Sequence, residues 1–308
     1  MPVSRRQFLQ LTVASGVATA FRPIAGPGAA PSVCLFSKHL QWIPEYSQLG
    51  TTAAELGFDG LDLTVRNNGH VLPERVTTDL PKAIKAIQAA GLRVPMMATD
   101  INRADATAER VLSIAREHGV QHYRMGYYRY DLNRPIQPQL DEFRRHLSGL
   151  ATLNERIGIR ASYQNHSGKG YVGGPVWDLA WLLDSVSPQW VGSQYDVFHA
   201  MIEGHSSWEA GLRMLAPRFF TINAKDFRWE MKGRTTDHQS CPLGEGAVNW
   251  PAYFKMLSQL NVAVPISLHA EYALGGAENG ARQLSVSPDV VKAALKRDVE
   301  QLKGYLKA

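Results

Sequence analysis

The sequence predicts an α/β fold in which eight strands and their helices close into a single (β/α)8 barrel. From Ser32 onward, short apolar runs alternate with longer amphipathic segments, the mark of βα units around a parallel sheet. Eight such pairs can be counted, and a barrel of about 250 residues routinely forms one unit. No Gly-x-Gly-x-x-Gly follows the first strand, so the rival open doubly wound sheet lacks its usual phosphate-binding turn.

Strand one is read over 33–37 and strand two over 60–64. A helix over 80–90 leads to strand three at 92–98, with Gly91 supplying the left-handed residue that ends a helix. Gly119 separates a helix over 104–118 from strand four at 122–126, and Gly158 separates a helix over 139–157 from strand five at 158–163. Helix 176–186 precedes strand six at 191–196, helix 208–215 precedes strand seven at 219–225, and helix 250–260 precedes strand eight at 264–269. Asn249 is placed to cap that last helix, whose first turn holds Pro251. A closing helix spans 288–306, so 31–308 reads as one barrel.

Residues 1–30 stand apart as a signal and linker. Ser4, Arg5, Arg6, Gln7, Phe8 and Leu9 open an apolar stretch to Phe21 that is broken by Gly16 and rich in small residues, the pattern of a twin-arginine export signal. A spanning helix needs about 20 strongly apolar residues, more than this stretch offers. The expectation is cleavage after Ala20 or near Ala30 and delivery to the periplasm by the twin-arginine machinery. No stable membrane insertion of the mature chain is expected.

The whole chain has 33 Lys and Arg against 28 Asp and Glu; three of those Arg lie in 1–30, which leaves 30 against 28. With no basic run and no basic-aromatic stripe, a nucleic-acid partner is not expected. Cys34 and Cys241 are too few for a disulfide framework, and free thiols are expected.

In such a barrel chemistry sits at the C-terminal ends of the strands. Those ends carry Lys38 and His39 after strand one, then Gln164, Asn165 and His166 after strand five. Asp196 and His199 follow strand six, Asn223, Lys225 and Asp226 strand seven, and His269 and Glu271 strand eight. Side chains alternate along a strand, so Gln164 shares a face with His166, and His269 with Glu271. Carboxylate, imidazole and amide oxygen converging on one mouth suit a divalent ion, with Asp196 and Glu271 supplying two negative charges. Blander readings stand beside these: Asp196 as a loop cap, His166 and His269 as core histidines, His199 as cover for the mouth, Lys225 and Asp226 as an exposed ion pair. Glu271 would be costly to bury unpaired. The segment 242–251, with Gly244, Glu245 and Gly246, is a candidate lid.

These stretches resemble the sugar phosphate isomerase/epimerase family of xylose isomerase-like barrels, and specifically its exported, twin-arginine-bearing branch. The resemblance runs over essentially the whole chain after residue 30, through Phe36 to Trp42, Tyr163 to Gly168, Gln194 to Ala200, Ala224 to Phe227, Pro242 to Gly246 and Ile266 to Tyr272. It implies an isomerase or epimerase acting on a carbohydrate or keto-sugar by removing a proton next to a carbonyl. It also implies a divalent ion (Mn, Zn or Mg) on Gln164, Asp196, Asn223 and Glu271. Glu271, His199, Lys225 and His166 become candidate catalytic groups, and Lys38, His39, Asn165, His269 and Glu245 candidate substrate contacts. The family usually has Glu or His in the place of Gln164 and His in the place of Asn223, so two strong ligands are replaced by neutral amides, and His166 or His269 are the alternative ligands. Gln164 cannot accept a proton, which makes a one-base β-elimination from a 3-keto-glycoside the alternative activity. A non-catalytic sugar-binding protein, with Tyr163, Tyr195, Trp229 and Tyr272 stacked on the sugar, is the alternative of another class. An endonuclease IV-like nuclease would need several metals and a cationic groove, which this charge balance does not favour. Self-association stays open.

Overall fold

Short strands buried at nearly every position are what a parallel sheet covered on both faces requires, and eight of them are found here. The computed structural model describes residues 31–307; the expected twin-arginine signal and its expected cleavage positions lie outside the described residues. Strands β1 (Val33–Phe36), β2 (Gly60–Thr64), β3 (Arg93–Ala98), β4 (His122–Arg124), β5 (Arg160–Gln164), β6 (Val191–Asp196) and β7 (Phe219–Ala224) follow in order. A hairpin of β8 (Asp226–Lys232) and β9 (Thr235–Cys241) intervenes before β10 (Ile266–Leu268). The barrel closes in the order β1-β10-β7-β6-β5-β4-β3-β2, with every neighbouring pair parallel. The predicted (β/α)8 barrel is therefore the fold.

Around it run α1 (Tyr46–Glu55), α2 (Val76–Ala89), α3 (Ala106–Glu117), α4 (Ile136–Ile157), α5 (Trp177–Asp184), α6 (Val197–Gly204), α7 (Trp208–Leu215), α8 (Trp250–Gln259) and α9 (Pro288–Tyr305). Gly91, Gly119 and Gly158 take positive φ as their positions demand. Asn249 caps α8 by accepting from the Ala252 N–H at 3.2 Å. Helix α2 starts four residues before the predicted 80, because the 3-10 turn Pro73–Arg75 leads straight into it and Pro81 is accommodated inside. No described helix is long and apolar enough to cross a membrane. Cys34 and Cys241 are both free and buried.

The hairpin was not predicted. Its sequence carries no apolar alternation, since Arg228, Trp229, Met231 and Lys232 are exposed and only Asp226, Phe227 and Cys241 at its base are buried. It grows out of the end of β7, so the residues that leave that strand, Lys225 and Asp226, are fixed between barrel and hairpin.

The interior of the barrel is polar near its mouth. Asp196 lies opposite Asn223 in the ladder, Asn223 opposite Ser267, and Gln164 opposite Gln194. Ser267 Oγ donates across the barrel to Asp62 Oδ2 at 2.7 Å. The apolar positions that alternate with these pack outward under the helices in one continuous core.

Candidate active site

The centre of the site is Asp196, fully buried at the end of β6. Its Oδ1 accepts the His199 N–H at 3.3 Å and so caps α6. Its Oδ2 accepts Gln164 Nε2 at 2.7 Å and Asn223 Nδ2 at 3.1 Å, and pairs with Lys225 Nζ at 3.2 Å. The cap and the candidate-site readings of Asp196 thus coexist, one on each oxygen.

Lys225, expected as either a site residue or half of an exposed ion pair, is 3 % exposed and reaches three acceptors. Besides Asp196 these are Glu271 Oε2 at 3.0 Å and His199 Nε2 at 2.7 Å. An ammonium has three N–H bonds, and all three are taken. Because Nε2 of His199 accepts from it, Nδ1 of His199 carries the proton and donates to Ser167 Oγ at 2.7 Å. Glu271 completes the group: its Oε1 lies 2.6 Å from Lys38 Nζ, and its side chain is 26 % exposed, the most open of the set. His166 lies against the His199 ring at 3.8 Å between centroids and stacks on Tyr171.

Asp226 corrects the ion-pair reading. It is buried and turns away from Lys225, accepting from the backbone of Gly244, Gly246 and Val248 and from Trp250 Nε1. A Cβ on Gly246 would collide with its Oδ1, so this close approach needs glycine. The segment 242–250 is therefore tied down at its base.

Electrostatics follow from these contacts. Burial would raise the Glu271 carboxyl, but the ammoniums of Lys225 and Lys38 outweigh it and hold the group well below the ordinary carboxylate range. Burial lowers Lys38, partly offset by Glu271. Lys225 is raised: burial opposes its charge, and Asp196 and Glu271 together overcome that. Burial keeps His199 and His269 neutral and pushes His166 down to about 4.

Other expected contacts have different partners. His39 donates from Nδ1 to Ala277 O at 3.2 Å and accepts the Ala270 N–H on Nε2 at 3.1 Å, so both ring nitrogens serve the backbone. Asn165 exchanges two hydrogen bonds with the Asp196 backbone. Glu245 pairs with Arg228 at 2.7 Å and Arg297 at 3.7 Å, outside the cluster. His269 stacks on Phe36, and its Nδ1 has no hydrogen-bond partner among the described residues. Tyr163 and Tyr195 are wholly buried and cannot stack on a sugar, and the Tyr272 hydroxyl is held by Asp298. Two residues were overlooked at the end of β4. Tyr127 donates to Gln164 Oε1 at 2.6 Å and Arg124 Nη1 to the same atom at 3.1 Å. The rule that polar residues at strand ends face the mouth points to both.

The four side chains of the expected ion site do not fit a divalent cation. Asp196 can only accept, so both amides present NH₂ to it, and their oxygens, the atoms that would bind a metal, are used elsewhere. Gln164 Oε1 faces Arg124 and Tyr127, and Asn223 Oδ1 accepts from Gln194 at 2.6 Å. Among the described residues no three His, Cys, Asp or Glu side chains are grouped to hold a metal.

Burial also makes stability depend on pH. His39 and His122 are held down to about 3, burial being the larger cause in each. Both stay neutral in the fold while the unfolded chain takes up protons near pH 6.5. Their contribution is complete above that pH and is lost as pH falls from 6.5 toward 3. We expect each to cost about 2 kcal/mol between pH 7 and pH 5. Urea unfolding at the two pH values measures the difference, and equal stabilities would contradict it.

A barrel with a polar, charge-paired mouth at the C-terminal ends of β5, β6, β7 and β10 defines the class of protein. The family model described as xylose isomerase-like TIM barrel matches residues 51–287, and the chain belongs to that family. Among solved structures, a D-psicose 3-epimerase is similar with a TM-score of 0.67 at 13 % identity, covering 90 % of this chain and 100 % of its own. A 3-keto-D-glucoside 4-epimerase from E. coli gives 0.64 at 13 % identity, with 89 % and 99 % covered. A xylose isomerase domain protein from Planctomyces limnophilus gives 0.61 at 18 % identity, with 83 % and 91 % covered. No curated protein sequence matches the chain.

Proposed function

We propose that this chain is a sugar isomerase or epimerase that moves a proton on the carbon next to a carbonyl of a keto-sugar or related carbohydrate. One observation carries the reading: a partly exposed carboxylate, Glu271, is held ionised between two ammoniums at the mouth of the barrel. An ionised carboxylate is ready to take a proton, and positive charge beside it lowers the cost of the enediolate that results. Glu271 is the base in this reading. Lys38, which burial makes more acidic, returns the proton or holds the substrate oxygen. Neutral His166, half-buried against the His199 ring, binds a hydroxyl beside it, while His199 holds Lys225 in place. Family membership and the epimerases among the similar barrels support the substrate class. The twin-arginine pattern supports work in the periplasm on a sugar met there.

The asymmetry of the site favours a second reading. Gln164 offers no base opposite Glu271, and removal of one proton followed by loss of a leaving group is a one-base reaction. From a 3-keto-glycoside it would release the aglycone and leave an unsaturated ketone.

Incubation with D-psicose, L-ribulose and 3-keto-glucosides in D₂O, followed by NMR, separates these outcomes. Deuterium entering beside the carbonyl with recovery of a second sugar supports the isomerase or epimerase. Release of the aglycone supports elimination, and binding without exchange in any substrate would leave a sugar-binding protein.

A further inference from the structure

We propose that the ammonium of Lys225 occupies the place of the divalent ion, and that this chain carries its catalytic positive charge on its own side chain. The reading deepens the isomerase proposal and rests on it for the word catalytic; the charge arrangement itself does not depend on it. Lys225 Nζ lies 3.2 Å from Asp196 Oδ2, 3.0 Å from Glu271 Oε2 and 2.7 Å from His199 Nε2. It therefore joins the two carboxylates that the family's ion would join, from the strand that lies between them.

Three features make this an assembled cation site. Charge is balanced without an ion: two ammoniums, Lys225 and Lys38, face two carboxylates, Asp196 and Glu271. A dication added there would meet both ammoniums within a few ångströms. The amides, moreover, are turned for an anion. Gln164 cannot be reversed without setting its NH₂ against Arg124, whose guanidinium has no acceptor. Reversing Asn223 would set its oxygen against Asp196. Finally, the substitutions and the lysine agree in direction. Neutral amides in place of ligating Glu or His remove negative charge and offer only weaker donors, which here are turned to other partners, and one lysine then suffices.

Lys225 gives this site a fixed charge where a metal would give an exchangeable one, and it keeps Glu271 ionised by direct contact. The test uses the whole purified chain. Metal content is measured by elemental analysis, and manganese in excess is titrated in, with free Mn²⁺ followed by its EPR signal. Wild type is expected to hold no stoichiometric metal and to leave the free Mn²⁺ signal unchanged. The triple variant Gln164→Glu, Asn223→His, Lys225→Met restores the carboxylate and imidazole and removes the ammonium; if folded by circular dichroism, it is expected to take up one equivalent. One equivalent of metal bound by wild type and lost in Asp196→Asn would overturn the proposal. So would a folded triple variant that binds none. Neither readout uses turnover, so absence of isomerase activity would sink the functional reading and leave this one standing.

Discussion

Glu271→Gln is expected to lower turnover by about 10²- to 10⁴-fold, the usual contribution of a positioned base. The substitution keeps the size of the side chain and removes its ability to take a proton. Its two oxygens now accept from Lys38 and Lys225; an amide satisfies one ammonium and turns its NH₂ toward the other. That local conflict sits at the open edge of the cluster, where water can enter, so the fold should survive it, as thermal unfolding would show. Lys38→Met separates base from neighbour. It leaves Glu271 in place but removes one of the charges that hold its carboxyl down, so the acid limb of the pH–rate profile should move to higher pH while a measurable rate persists. Turnover by Glu271→Gln within threefold of wild type would remove Glu271 from the chemistry.

Most of the barrel was legible because its signals are local. Alternating apolar runs, Gly91, Gly119 and Gly158 at helix ends, and the Asn249–Pro251 pair each report on a few neighbouring residues, and each is found as expected. The strand-end rule likewise brought Gln164, Asp196, His199, Asn223, Lys225 and Glu271 to one place, because parallel strands all end at the same face. What it could not give was direction and partner. His39 occupies a promising position, yet its imidazole is spent on the backbone of the β10–α9 connection, more than 200 residues away in sequence. Asn165 is similarly spent on the next strand. The choice of Lys225 for Asp196 and Glu271, and not for its neighbour Asp226, depends on the hairpin β8–β9, which splits the two residues to opposite sides of the chain. Nothing in the apolar pattern announces that hairpin, since it is amphipathic only at its base.

Asp226 should prove the most costly residue to remove outside the cluster. Its carboxylate takes Phe227 N at 2.9 Å and Val248 N at 3.2 Å on Oδ1, and Gly244 N at 3.0 Å, Gly246 N at 3.3 Å and Trp250 Nε1 at 2.9 Å on Oδ2. Asp226→Ala leaves these donors facing an empty space, those of Phe227, Val248 and Trp250 in a region closed to solvent. A buried donor left unpaired costs about 1–3 kcal/mol, and several around one vacancy share whatever water enters it, so a loss of about 3–5 kcal/mol is expected in urea unfolding. Asp226→Asn should recover little, because its NH₂ would face two or three N–H groups that need an acceptor. Hydrogen exchange at Gly244, Gly246 and Val248 should quicken in both variants before the barrel as a whole opens. Activity should fall as well, since Lys225 is held in register by the residue that follows it. A loss under about 1 kcal/mol would mean that the segment is held by Arg228 and Glu245 on its surface, and that Lys225 owes its position to Asp196, Glu271 and His199.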